Sequence, residues 1–452
     1  VLALAVAAVV GADDYPRAAL AQPPVPVRAQ PEKKDADKKD ADKKDPTKQP
    51  ETKWPTEING KDINAVMKDL EDPDPGIRLM AAGTLPQFGP AAQKEKVSKL
   101  LIKRMKAEYE KDPGVRSAVF TAVGVIQFES DLDLKEAVRL LSEIVDTNTP
   151  SSMTRMNAIQ TLALFGHKGE PAITKLTGVA MTDPAFETRR SIAAALGQVG
   201  LNEKSGPNLN ALKALVTLSK DASAAVRIAA LQSLMNLGPP WDGVKKNAAA
   251  PLPPIDTKGA ADIVKAMKAR IGDAGAKPPT HGQEKDKHVE IWARLVVMEF
   301  DPQELNDDNL NALGQYLTGP DLDLKALALQ AFGILGEGAG KRYKDVVRVM
   351  EEKGAPFPII VTSIHTLGAM GIGAKPALPN LRTFLGEKKK AFDEKVQKIK
   401  ELEAAKKPLE PQLVGETLEL EGLVKTLEAA IRHIEESKST SPTAVSDPPK
   451  KP

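Results

Sequence analysis

One pattern, repeated at a nearly fixed interval, limits this chain more than any single motif does. Residues 77–89 (IRLMAAGTLPQFG) set a basic residue at Arg78, small residues three and four places later, an apolar residue at the seventh place and Gly at the eleventh. Residues 155–166, 189–200, 227–238 and 325–336 repeat it. Residues 360–371 keep the small, Leu and Gly positions without the basic one, residues 116–127 keep the basic start and lose the Gly, and residues 287–298 keep only the amphipathic spacing. The starts fall at 78, 116, 155, 189, 227, 287, 325 and 360, so the spacing is 34 to 39 residues with one exception of 60. Periods of this size are the mark of stacked repeats rather than of one globular bundle.

Each position has a physical reason. Asp74, Asp112, Asp183, Asp221 and Asp323 precede the helical stretches and are expected to cap their free N–H groups. Pro75, Pro113 and Pro184 suit a first helical turn, where a missing donor costs nothing. Asp74 and Arg78, like Asp112 and Arg116, stand four apart and predict an ion pair within each helix. Small residues at the third and fourth places let neighbouring helices approach, and the apolar residue at the seventh lies on the same face. The final Gly is expected to take the left-handed conformation that ends a helix. A second amphipathic stretch follows each of these, as in Val97, Leu100, Leu101 and Met105 or Leu378, Leu381 and Leu385, so each unit reads as a helical hairpin. The basic residues Arg78, Arg116, Arg189 and Arg227 are expected to support packing between repeats rather than to contact a ligand.

These residues resemble the HEAT repeat, in the short bacterial (PBS-lyase-type) form whose signature runs Asp-Pro-x-Val-Arg-x-x-Ala-x-x-x-Leu-x-x-x-Gly. The resemblance extends over about residues 57–390 and is poorest in the sixth unit. It implies an all-α fold, a right-handed α-α superhelix (a HEAT-like solenoid) whose concave face is formed by one helix of each pair. Stacking physics leads to the same architecture, because one hairpin cannot bury its apolar face alone.

The one long interval holds a Pro-rich insertion, residues 239–257, and a loop, residues 272–284, around a short helix at about 261–270. Long loops inside a regular array are often functional, and Trp241 in the insertion is the candidate protein-binding residue. Trp292, with Ile291, Leu295 and Val296, is expected in the core. From Leu378 the apolar spacing runs on through Phe392, Val396, Ile399 and Leu402. After Lys407 and Pro408 a second stripe carries Leu413, Leu420, Leu427 and Ile434. Residues 387–437 therefore predict a long helical hairpin at the C-terminal end, either a cap on the array or an oligomerisation element.

Both ends read differently. Residues 1–21 begin with a short run of small apolar residues and contain two small-x-small sites, the pattern of a signal peptide, which predicts export to the periplasm or medium. Residues 22–56 are rich in Pro, Lys and Asp, including KKDADKKDADKKD, and together with the tail 438–452 they cannot bury enough apolar surface to offset ordering entropy. No later segment has the ~18 apolar residues of a transmembrane helix.

Composition narrows the chemistry. Cys is absent, which excludes disulfides, thiolate metal sites and Cys nucleophiles. With 63 Lys+Arg against 61 Asp+Glu, and 10 Phe, 4 Tyr and 3 Trp, neither a basic coat nor a stacking platform for nucleic acid is expected. The stretch 336–342 (GEGAGKR) imitates a phosphate loop, but its first Gly is one place too close and Arg342 stands where Ser or Thr belongs. His281, His288 and Glu284 are too few for a metal site, His167 follows a helix-ending Gly, and His365 reads as a packed helix residue. No catalytic residue, cofactor site or metal site is nominated. The expected function is a non-enzymatic scaffold binding a protein or peptide across the curved face. The alternatives are a structural envelope protein self-assembling through residues 387–437 and, third, a HEAT-like lyase or other enzyme.

Overall fold

A computed structural model describes residues 54–146, 153–202, 206–238, 257–272 and 282–438, which fall into two compact units divided near Leu237. Trp241, His281, the predicted leader and most of the predicted tether and tail lie outside the described residues.

The first unit contains α1 (Ile63–Asp69), α2 (Pro75–Thr84), α3 (Glu95–Met105), α4 (Pro113–Ile126), α5 (Asp131–Val145), α6 (Met153–Leu164), α7 (Ile173–Thr182), α8 (Phe186–Val199), α9 (Leu209–Leu218) and α10 (Ala224–Leu237). Two tiny antiparallel hairpins interrupt the helices. One pairs β1 (Glu57–Ile58) with β2 (Lys61–Asp62), turning through Asn59 and Gly60 at positive φ. The other pairs β3 (Leu201–Asn202) with β4 (Gly206–Pro207). The motif helices α2, α4, α6, α8 and α10 lie side by side in chain order, and α3, α5, α7 and α9 do the same in a second row. The apolar residue at the seventh place (Leu85, Val123, Leu162, Leu196, Leu234) is buried in every motif helix of this unit, as the spacing requires.

The basic residue of the motif acts at longer range than the sequence suggested. Arg78 forms no pair with Asp74. Its Nε and Nη2 donate to both carboxylate oxygens of Glu110 at 2.7 and 2.8 Å, 32 residues on. Its Nη1 donates to the carbonyls of Asp72 and Pro73. Arg189 repeats both halves, on Asp221 at 2.7 and 2.9 Å and on the carbonyls of Asp183 and Pro184. Arg155 pairs with Asp183 at 2.5 Å, with side chains 5% and 4% exposed. The guanidinium therefore ties its own turn to the next, and bidentate geometry favours that acid over a neighbour on the same helix. Burial pushes the Glu110 carboxyl up, but the hydrogen bond from Arg78 and the surrounding charges outweigh it and hold Glu110 below the usual range. The hydrogen bond from Arg189 likewise holds Asp221 low, against the opposing effect of its burial.

Caps follow expectation in part. Asp74 accepts from the N–H of Gly76 and Asp112 from that of Val115. Asp183 and Asp221 sit further out and close turns, accepting from Ala185 and Ser223. At the helix Leu322–Leu335, in the second unit, Asp321 rather than Asp323 is the cap. The helix-ending glycines divide too. Gly89, Gly166, Gly336 and Gly371 have positive φ, whereas Gly200 keeps φ −81 and Gln127 takes the left-handed place without being Gly.

The second unit contains α11 (Thr257–Ile271), α12 (Lys287–Phe300), α13 (Asp307–Gly314), α14 (Leu322–Leu335), α15 (Tyr343–Met350), α16 (Phe357–Ala369), α17 (Leu378–Ala404) and α18 (Pro411–Glu436). Here α12, α14, α16 and α18 form the motif row. Lys325 of α14 takes the place of the arginine and pairs with Glu352 at 3.0 Å. The irregular sixth repeat uses another solution, Arg294 donating to Glu290 and Asn309 beneath an α12 that carries Trp292 in the core. The C-terminal hairpin begins at Leu378, and its second helix α18 packs on α16, Gly368 facing Ala430. Among the described residues no single helix is long and apolar enough to cross a membrane.

Candidate protein-binding surface

With the basic residue of each motif numbered zero, helical geometry puts places −2, +2, +5 and +9 on one stripe. In α2 and the turn after it these are Gly76, Met80, Gly83 and Gln87, and in α4 they are Gly114, Ala118, Thr121 and Val125. In α6 they are Met153, Asn157, Gln160 and Leu164, in α8 Glu187, Ser191, Ala194 and Gln198, and in α10 Ala225, Ala229, Gln232 and Asn236. All but Ala229 are exposed or half-buried. Glu187 alone of these twenty is charged, although charged residues make up 27% of the chain and about five would be expected; depletion of charge marks interface cores. Glu187 occupies the first turn of α8, where the helix dipole favours an anion.

The motif arginines do not interrupt this stripe, because at place zero they turn into the junctions between repeats. The first two helices of the other row have the opposite character. On α3 and α5, Glu95, Lys96, Lys99, Lys103, Lys135, Arg139 and Glu143 are exposed, and several pair among themselves, as Arg139 does with Glu136 and Glu143. Lys175 reaches Asp146 from α7. The first unit therefore has a charged, water-solvated surface on α3 and α5, and a motif-row stripe of small, apolar and amide side chains with the single charge of Glu187. At 8–10 Å between packed helices and 1.5 Å per residue along them, the ribbon is about 32–40 Å by 16 Å, or about 500–650 Å², somewhat less than the roughly 800 Å² one partner contributes to a standard interface.

The second unit repeats the character on α14 and α16. Places −2 to +9 are Asp323, Leu327, Gln330 and Ile334, then Pro358, Thr362, His365 and Ala369. Burial pushes the His365 imidazole below its ordinary pKa, which keeps it neutral on this face.

Two open cavities lie on the rows opposite the motif stripe. One of about 740 Å³ is lined by Arg139, Ser142, Asp146 and Lys175, and one of about 840 Å³ by Lys325, Tyr343, Arg348, Glu351 and Asn380. Several of their polar groups are engaged by neighbours: Lys325 by Glu352, Asn380 by Glu351 and Arg348 by Asp345. Glu284 is held by Arg270 at 2.6 Å, and no cluster of three or more possible metal ligands occurs among the described residues. The basic pair of the phosphate-loop imitation is likewise engaged, Lys341 with Asp307 and Arg342 with Asp345. Trp54, the third tryptophan, is half exposed, and its ring lies where a side chain at Gly89 would stand.

Residues 99–197 match the family model described as HEAT repeats. No curated protein matches the chain. Among solved structures, an importin beta is similar over 82% of this chain and 49% of its own, at 12% identity and TM-score 0.44. Kap121p bound to Nup53p is similar over 83% and 39%, at 12% identity and TM-score 0.44. An engineered protein is similar over 83% and 99%, at 17% identity and TM-score 0.33. The chain spans about half or less of the length of the importin-type structures it matches. The fold of each unit is all-α and HEAT-like, a stack of helical hairpins in two rows.

Proposed function

We propose that this chain is a non-enzymatic scaffold that binds another protein across the motif-row face. The observation that carries the reading is the stripe at −2, +2, +5 and +9, which holds a single charged residue, Glu187, across five successive helices, while α3 and α5 of the opposite row are densely charged. Solvent-facing helices ordinarily carry Lys and Glu, and a face without them is one built to lose its water to a partner. A photo-cross-linking side chain at Gln198 should trap a discrete adduct in extract of the source cells, and the same probe at Arg139 should not. Equal labelling from both positions, or from neither, would overturn the reading.

In the same proposal residues 1–21 direct export, residues 22–56 form a tether, and Trp241 supplies a further contact from the insertion. Sequencing the N-terminus of the native protein tests the first point: a start at Asp13 or Gln22 supports processing. Self-assembly through the C-terminal hairpin is a second reading, favoured by Leu418, which is 61% exposed near its tip.

A further inference from the structure

The motif-row face also indicates the chemistry of its partner, an inference that rests on the scaffold reading above. Five amide side chains lie on the stripe of three adjacent helices: Asn157 and Gln160 on α6, Gln198 on α8, and Gln232 and Asn236 on α10. None makes a side-chain hydrogen bond among the described residues, whereas off the stripe Arg189 of α8 holds Asp221 and Ser233 of α10 donates to Ala193. An amide offers two donors and an acceptor and carries no charge, so it matches a peptide group and gives a charged group little return for its lost water. A helical partner has already paired its main-chain N–H and C=O groups, whereas an extended segment has one of each per residue still to pair. The three helices span about 16–20 Å, which five or six extended residues cover at 3.3 Å each. The amides stop at α4, where exposed Val125 stands beside Leu164, whose side chain packs over Gly124.

We propose that this surface takes an extended, charge-poor peptide segment of a partner protein. Its backbone hydrogen-bonds to the amides of α6, α8 and α10, and one apolar side chain lies over Val125 and Leu164. Affinity then comes from neutral hydrogen bonds and apolar contact, so salt has little hold on it.

A displayed library of random ten-residue peptides, selected on the full chain, is the test. Enriched peptides should be depleted in Asp, Glu, Lys and Arg and share one apolar position. Affinity of the synthetic winner should change less than about twofold between 50 and 500 mM NaCl. The double substitution Gln198→Ala with Gln232→Ala should weaken it about tenfold, and so should esters replacing backbone amides in the peptide, while Arg139→Ala leaves it unchanged. Both Gln side chains are unpaired at the surface, so the double variant is expected to melt with the parent, and the ester series needs no variant at all. Charged winners, steep salt dependence, indifference to the esters, or no enrichment would each overturn the inference. So would displacement of the winner by a peptide of residues 239–256, which would make the occupant this chain itself. The cross-linking experiment decides separately whether the face binds any protein.

Discussion

Breaking one rung of the arginine ladder strands the charge left behind, so its cost follows burial rather than bond count. Arg155 and Asp183 are both almost wholly buried, whereas Arg189 and Asp221 keep side-chain exposures of 16% and 10%. Arg155→Ala is expected to cost roughly 3–5 kcal/mol, more than Arg189→Ala, in urea unfolding followed by far-UV circular dichroism. Gln127 gives the opposite sign. It holds φ +50 at an exposed helix end where six of the other repeats have Gly, and an L-residue there is strained by about 1–2 kcal/mol. Gln127→Gly should therefore raise the melting temperature of the first unit by a few degrees. His365 responds to pH. Its folded pKa lies below the ordinary 6.5, so the unfolded chain takes up the proton first, and the stability present above pH 6.5 is lost as pH falls towards the folded value. His365→Gln should flatten the melting temperature of the second unit between pH 6.5 and 5, where the carboxylates remain ionised.

At the scale of helices, the eighth place after the basic residue sets how closely motif helices approach. A side chain at Gly197 would meet Ser233 of α10 at 2.6 Å, while one at Gly333 would find its nearest neighbour at 3.7 Å. Ser233 also donates to the carbonyl of Ala193, fixing α8 against α10. Gly197→Ala must push α10 away and is expected to cost about 1–3 kcal/mol, more than the helix propensity it gains. Gly333→Ala has room and should be neutral or stabilising by up to about 1 kcal/mol. Thermal melts of the two variants check a sign change at one place of the repeat. The contrast also shows what could be read from the chain beforehand. Hairpins, period and buried seventh position were legible, because each is local and periodic. The partner of Arg78 was not: Asp74 at four residues and Glu110 at 32 are both acids, and only the stacked turn brings the second within reach. The charge-poor stripe was hidden for another reason. An absence of charge becomes visible only once the phase of every helix is known, although counting −2, +2, +5 and +9 from each basic residue would have exposed it. Trp241 attracted notice by its type, while Asn157 and Gln160 look unremarkable until their lack of partners is seen.

Within the second unit, the terminal hairpin can serve the fold or serve assembly, and its packing separates the two. α18 occupies the motif-row place after α16, burying Leu423, Leu427 and Ile434, and α16 without it would leave Gly368 and its neighbours facing water. α17 is about 40 Å long against about 20 Å for α16, so the hairpin extends past the stack it covers. Its outer stretch is tied across by Lys395 and Glu416 and leaves Leu418 exposed. A cap and an assembly element respond differently to loss. If α18 is a cap, a chain ended after Ala377 should lose the cooperative melt of the second unit and aggregate through the uncovered α16, while the full chain stays a monomer by light scattering. If the hairpin serves only assembly, the shortened chain should melt as before, and the full chain should be an oligomer that Leu418→Glu dissociates. The seat of α18 on α16 predicts the first pair of results. A full chain that is oligomeric, with a truncated form melting unchanged, would reverse the assignment and make the exposed tip the functional end of the hairpin.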